Sequence, residues 1–436
     1  MNKLVIAIIE GKFFGKCGKK IKKAWKKGVK AVDFTLSKPL RNRYVRQHPI
    51  VKNRITLMAV DNRYDCNPKY IAEEILRRKL DVELFWIRKA DKNEMPPVFP
   101  SSVTVVKYNT IEAIEALATS KIWIENELKF LKPYTVHKKK GQYYMQTWHG
   151  SMGFKKIGRE NLYNLEGRKK RFINRIAALC DKTTDFCISN SDFETDVFRK
   201  AYWDTTPILE YGHARNDILF NKNPEEVLKL KERVLAQLTD DFSNGKAVSE
   251  EEKEKNRKEL LNTRYLMYAP TYRKDQNISN FDIDFFMLTK VLHEQFGGNW
   301  KILFRFHQHN RNLNIKSSKF INATMYPDMQ ELMAIADAGV SDYSSWLCDF
   351  VLTGRPAFIY APDYEFYAND RGFYYPLDTT PFPICINNAE LKAAVSNFNE
   401  EKYAEKCREF LEARGCFEKG NAAERIVDKI EELMNK

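Results

Sequence analysis

The sequence predicts an α/β protein of two open, parallel-sheet domains. Three observations carry this. Short apolar runs alternate with stretches of ten or more residues at helical period, the pattern of parallel βαβ units. The chain has 436 residues, too many for one ordinary domain and suited to two of about 200. It is 43% hydrophobic and 13% aromatic, so each half can bury a core. The expected division is an arm over 1–50, a first domain over 51–210 and a second over 211–436.

The arm is separated by charge. Residues 1–52 hold 15 Lys/Arg against Glu10 and Asp33, a net +13 that leaves +1 for the rest of the chain. Within "KKIKKAWKKGVKAVDFTL", Ile21, Trp25, Val29, Val32 and Leu36 make one helical stripe and lysines fill the other face. Such a helix either docks on the body with its lysines solvated or lies on an anionic membrane, where Trp beside lysines suits the headgroup layer. Nucleic acid is not expected as a partner, because no helix-turn-helix, zinc-finger or RNP-like pattern accompanies the charge. The first apolar run, Leu4 to Ile9, is too short to span a bilayer and ends at Glu10. A cytoplasmic protein is expected, its eight scattered cysteines reduced and mostly core filler, since none forms a CxxC pair.

From Arg54 the elements follow in order. "RITLMAV" reads as a buried strand, and "NPKYIAEEILRRK" as a helix with Asn67 as cap and Pro68 in its first turn. "VELFWI" and "SVTVVKY" are strands, "TIEAIEALATS" a helix, and "KIWIEN" and "YYMQTW" further strands. The pattern resumes at "FCISNS", "PILEYG", "RYLMYAP", "KILFRFH", "AGVSDYS" and "PAFIYAP". Between the halves, "DDFSNGKAVSEEEKEKNRKE" reads as an exposed insertion or helix.

Open α/β sheets bind ligands at the carboxyl ends of their strands, and the polar clusters here sit at such ends. His149 follows "YYMQTW" and precedes Gly150. It is either a turn residue bonded to backbone or a general base, since a neutral imidazole can take a hydroxyl proton near neutral pH. Arg305 and His307 alternate after "KIL" and could grip phosphate oxygens, or be two surface basic residues. "GHARND" crowds Arg215 and Asp217 into one loop, a site or a helix-capping turn. Ser344 and Ser345 fall at a helix start, an anion site or plain N-capping by Asp342 or Ser344. Thr271 and Arg273 lie on the exit loop of "YAPTYRKD". Lys155 and Lys156 downstream of His149 favour an anionic substrate. There is no GxxxxGK[ST], GxSxG, HExxH or GxGxxG, which argues against P-loop, serine-hydrolase, zinc-protease and dinucleotide chemistry.

Taken in order, "NPKYIAEEIL", "YYMQTWHGSMGFKKIG", "CISNSDFETDVFRKAY", "GHARNDIL", "YAPTYRKD", "FRFH", "ADAGVSDYSSWLCDF" and "RGFYY" resemble the CDP-glycerol:poly(glycerophosphate) glycerophosphotransferases, the polymerase and primase enzymes of teichoic acid synthesis. The resemblance runs from about Lys52 to about residue 400. It implies a GT-B fold, two Rossmann-like domains facing across a cleft, and peripheral attachment to the cytoplasmic face of a membrane. It implies His149 as catalytic base and His307 as a donor-diphosphate ligand, with Arg305 as the arginine of the same motif. The prolines of that motif are replaced here by Phe306 and Gln308. Ser344 and Ser345 match a donor-binding serine pair, and Arg215, Asp217 and Arg273 resemble donor-side loops.

The reaction so implied moves glycerol phosphate or ribitol phosphate from a CDP-polyol donor to a hydroxyl of a lipid-linked glycan or polyol-phosphate acceptor and releases CMP, for teichoic acid or a phosphate-containing capsule. No cofactor or structural metal is expected, although a diphosphate donor could bring Mg²⁺. The alternatives are a GT-B sugar-nucleotide glycosyltransferase and a non-catalytic, membrane-associated glycan-binding protein. The motifs do not choose between glycerol and ribitol or between one transfer and many.

Overall fold

The computed structural model describes residues 45–60, 63–89, 99–108, 110–128, 137–161, 167–238, 257–271, 282–306, 320–364 and 372–436. The basic arm up to residue 44, Arg273, His307 and residues 240–256 of the charged stretch lie outside the described residues.

The first sheet runs β3-β2-β1-β4-β5-β6-β7, with β1 Val51–Met58, β2 Glu83–Arg88, β3 Val103–Lys107, β4 Ser120–Glu125, β5 Tyr143–Gln146, β6 Phe186–Ser189 and β7 Ile208–Glu210. Every pairing is parallel, for example Leu57 opposite Trp86 on one side and Ile124 on the other. Helices cover both faces, so the strands need apolar residues on both sides; β4 is buried along its whole length. The covering helices include α1 Cys66–Arg77, α2 Ile111–Thr119, α3 Arg168–Thr183 and α4 Asp192–Ala201.

The second sheet runs β10-β9-β8-β11-β12-β13, again all parallel, with β8 Thr263–Tyr268, β9 Asn299–Phe304, β10 Phe320–Asn322, β11 Ala338–Ser341, β12 Ala357–Tyr360 and β13 Ile384–Cys385. Around it lie α5 Pro224–Leu238, α6 Phe285–Phe296, α7 Met329–Ile335, the short α8 Trp346–Phe350, α9 Asn388–Ser396 and α10 Glu400–Glu412. Strand order reverses between β1 and β4 in the first sheet and between β8 and β11 in the second. Such reversals are where open α/β sheets bind ligands in general, outside the carboxyl ends of the strands.

The expected boundaries need two corrections. The last helix, α11 Ala422–Asn435, returns to the first sheet, where Ile426, Val427, Ile430 and Leu433 pack with Ile55, Leu57 and Ile124. An apolar stripe must be covered, but sequence order does not say by which sheet. At the other end, residues 45–50 belong to the body and not to the arm. Val45 is buried with Met58, Ile87 and Trp123, and Lys139 Nζ donates to the His48 carbonyl at 2.6 Å.

Candidate functional site

Both sheets send carboxyl-end loops to one cavity of about 270 Å³. From the first come the loop after β5, Trp148 to Lys155, and the face of α4 with Phe193 and Glu194. From the second come Thr271 after β8 and Tyr343, Ser344 and Ser345 after β11, with Tyr374 closing one side.

His149 reaches the cavity because the chain turns sharply after β5. Thr147 continues the ladder through its N–H to the Glu125 carbonyl, 2.8 Å. Trp148 then takes φ +51°, the left-handed region that bulky residues avoid. Its indole is held by Phe198, Tyr202 and Trp203, with centroids 5.9, 5.6 and 5.7 Å away, and the His149 ring lies against it at 4.7 Å. His149 Nδ1 is 2.5 Å from the Asn126 carbonyl oxygen. A carbonyl only accepts, so Nδ1 carries the proton and Nε2 of the neutral ring carries the lone pair. Asn126 is itself held at the end of β4, its Oδ1 accepting from the Val60 N–H at 2.7 Å. The backbone bond expected of a turn residue is therefore present, and in the neutral ring it places the lone pair on Nε2.

The loop beyond His149 is clamped from the second half. Tyr375 Oη donates to the Met152 carbonyl, the Tyr374 N–H to the Phe154 carbonyl at 2.8 Å, and the Ile157 N–H to Tyr374 Oη at 3.1 Å. These tyrosines belong to the "RGFYY" motif. Lys155 joins the cavity lining; Lys156 is not part of it.

Ser344 and Ser345 both line the cavity, and Ser345 is the residue before α8. Neither serine hydroxyl caps that helix, and Asp342 does not either. Asp342 Oδ1 accepts from the Thr271 N–H at 2.8 Å and from its hydroxyl, tying the β8 and β11 loops together. Arg305 leaves the end of β9 half-buried, with Nη1 donating to the Tyr326 carbonyl at 2.6 Å, outside the cavity lining.

Arg215 and Asp217, expected on donor-side loops, are both bonded within the protein and outside the cavity lining. Arg215 is 1% exposed. Its Nη2 donates to Ser151 Oγ at 2.9 Å and meets Asp349 Oδ2 at 3.0 Å, so the guanidinium joins the first half to the second behind the cavity lining. Asp217 caps α11: its carboxylate accepts from the Ala422 and Ala423 N–H groups at 2.9 and 2.7 Å. Burial pushes its pKa up to about 6. A loop this polar looks the same in sequence whether it faces substrate or another element.

Sequence reasoning also missed the buried polar cluster behind the cavity. Glu194 accepts from the Asn190 N–H at 2.9 Å and sits 2.8 Å from His213 Nε2. Glu418 Oε1 accepts from the His213 N–H at 3.1 Å and from Asn216 Nδ2 at 2.8 Å. Its Oε2 is buried without a partner, and burial raises the carboxyl to about 7. Gly212, at φ +87°, is required beside it, because a Cβ there would lie 2.6 Å from Glu418 Oε2. Asn67, expected to cap α1, instead lies inside its first turn; the residue before the helix is Asp65. The Asn67 side chain crosses to the carbonyls of Thr147 and Trp148, at 2.7 and 3.1 Å.

Known proteins resemble this chain over most of its length. The chain is 29% identical over 382 residues to a teichoic acid poly(glycerol phosphate) polymerase of Staphylococcus epidermidis, covering 84% of this chain and 48% of that protein. It thus spans about half the length of that relative. It is 27% identical over 377 residues to the Bacillus spizizenii protein of the same description, covering 84% of this chain and 89% of the other. A B. spizizenii teichoic acid ribitol-phosphate primase is 24% identical over 325 residues, 73% of this chain and 76% of that one. Among solved structures, the wall teichoic acid polymerase TagF superposes with a TM-score of 0.74 at 26% identity, covering 96% of this chain and 99% of that one. The family model described as CDP-Glycerol:Poly(glycerophosphate) glycerophosphotransferase matches residues 40–432, further at both ends than the eight motifs reach, and the chain belongs to that family.

Proposed function

We propose that the protein transfers a polyol phosphate from a CDP-polyol to a hydroxyl of a lipid-linked acceptor and releases CMP. The observation that carries this is the His149 ring: Nδ1 is committed to the Asn126 carbonyl, and Nε2 is basic beside a cavity lined from both sheets. The acceptor oxygen attacks the β-phosphorus of the donor and Nε2 takes its proton. The bond from that phosphorus to the bridging oxygen breaks, and CMP leaves with the electron pair. Ser344, Ser345 and Lys155, with Arg305 and the motif residues His307 and Arg273, hold the diphosphate and offset its growing charge. Such a reaction asks for alignment and electrostatics more than for covalent catalysis, and no resident cofactor or metal is assigned.

In this reading the halves are acceptor-side and donor-side domains of a GT-B enzyme with the reaction in the cleft between them. The enzyme works peripherally at the cytoplasmic membrane face. Residues 1–50 supply +12 of charge for an anionic surface. Helix α3 offers a second basic surface, with Arg168, Lys169, Lys170, Arg171 and Arg175 around a Phe172 that is 64% exposed. The test is to incubate the protein with a lipid-linked acceptor and either CDP-glycerol or CDP-ribitol, and to follow CMP. Acceptor-dependent CMP from one of them is expected. No CMP from either, with nucleoside diphosphate released from a sugar nucleotide instead, would transfer the chain to glycosyl chemistry.

A further inference from the structure

We infer that Asn67 is a positioning residue for His149, holding the backbone that carries the base in a conformation it would not keep alone. The inference rests on the base reading above. Trp148 is a bulky residue at φ +51°, and unsupported backbone relaxes out of that region. The two peptide planes that define its φ and ψ carry the Thr147 and Trp148 carbonyls. One nitrogen, Asn67 Nδ2, donates to both, at 2.7 and 3.1 Å. The Trp148 N–H is fixed separately by Gln146 Oε1 at 2.9 Å.

The orientation of the amide is settled by its neighbours. Two carbonyl oxygens face one end, so that end is the NH₂ group; at the other, Asn67 Oδ1 accepts from the Arg215 N–H at 3.0 Å. His213 Nδ1 lies 3.3 Å from the same nitrogen, the longest of its three contacts. The side chain is fully buried, so water does not replace these bonds when they are lost. Asn67 also belongs to the first turn of α1, which is fixed on the sheet by Ile71 and Ile75. The clamp is therefore anchored to a rigid element. Releasing it lets Trp148 relax, and His149, the next residue, swings away from the Asn126 carbonyl.

The test uses the full chain. Asn67→Asp keeps the size and the acceptor for the Arg215 N–H but turns an acceptor towards two carbonyls; Asn67→Ala removes both functions. Asn67→Asp keeps the test open should Asn67→Ala not fold. Each should lower kcat roughly 10–100-fold, the effect of a small misplacement of a reacting group, with CDP-polyol Kd held within about threefold. In a His149→Ala background Asn67→Asp should cost less than about threefold more, because both changes remove the same contribution. Independent losses that multiply, or kcat within threefold of wild type, would overturn the inference. A readout without turnover separates this claim from the base reading. In ¹⁵N-histidine-labelled protein the hydrogen-bonded Nδ1–H signal of His149, assigned by its loss in His149→Ala, should disappear or move in Asn67→Asp. An unmoved signal refutes the clamp even if His149 proves not to be the base.

Discussion

Arg215 and Asp349 form a 3.0 Å ion pair in which neither side chain is more than 5% exposed. The arginine follows β7 of the first sheet; the aspartate lies in α8 behind Ser344 and Ser345. Asn216 Nδ2 adds 2.9 Å to Asp349 Oδ1. Removing either charge strands the other in a dry interior, which costs about 3–5 kcal/mol. Arg215→Ala and Asp349→Ala should therefore each lose that much stability in urea denaturation. Replacing the pair together by apolar residues should recover part of it. A donor-contact role for Arg215 would instead weaken CDP-polyol binding and leave the denaturation midpoint unchanged.

What was legible in the sequence follows from where the constraint lay. Strands buried on both faces must be apolar throughout, so runs such as "RITLMAV" and "KIWIEN" announced β1 and β4 to within a few residues. The place of His149 at the cavity was legible because polar residues at the carboxyl ends of parallel strands gather where such sheets bind ligands. Asn67 was not. Asn before Pro has the signature of a helix cap, and nothing local reveals that its side chain goes to Thr147. The partners of Arg215 and Asp217 were not legible for the related reason that Asp349 and Ala422 are distant in sequence. The return of α11 to the first sheet is a topological fact, and an amphipathic stripe carries no address.

His149 and Arg305 should fail in different ways. His149→Ala removes the proton acceptor and should cut kcat by about 10²–10⁴ with donor affinity close to wild type. Arg305→Ala removes a charged donor at the end of β9 and should weaken CDP-polyol binding by roughly 1.5–3 kcal/mol. Calorimetry and single-turnover CMP release read the two separately. A His149→Ala enzyme within a few-fold of wild type, or unchanged donor affinity in Arg305→Ala, would contradict the respective role.

Glu418 should make stability depend on pH with a definite sign. Its carboxyl is raised to about 7 by burial, against 4.5 for the ordinary side chain. Between these values the folded protein binds the extra proton, so stability falls as pH rises, by roughly 3 kcal/mol for the whole shift. The contribution is complete below about pH 4.5 and gone above about pH 7. Glu418→Gln keeps the Oε1 acceptor and cannot ionise. Its Tm should match wild type near pH 5 and exceed it at pH 8. Equal Tm differences at both pH values would mean that the group does not titrate in this window.

Attachment to the membrane is the most exposed part of the proposal, and truncation tests it. Val45 is 2% exposed in the core of the first sheet, so a cut that spares it removes the basic segment without opening the body. Deleting residues 1–40 takes out eleven lysines against Glu10 and Asp33. Each lysine near an anionic leaflet contributes about 1 kcal/mol, so even partial engagement gives firm attachment that salt weakens. Trp25 and Ile21 would add apolar insertion. Full-length protein should float with phosphatidylserine-containing liposomes at low salt and less so at high salt, while the truncated form should stay largely in the soluble fraction. Turnover of a short soluble acceptor should survive the deletion, and turnover of membrane-embedded acceptor should fall. Equal flotation of both forms would move the attachment site to the body, where α3 with its exposed Phe172 and basic first turn is the surface to mutate next. Loss of the folded circular-dichroism signal on truncation would make the segment a structural part of the first half instead.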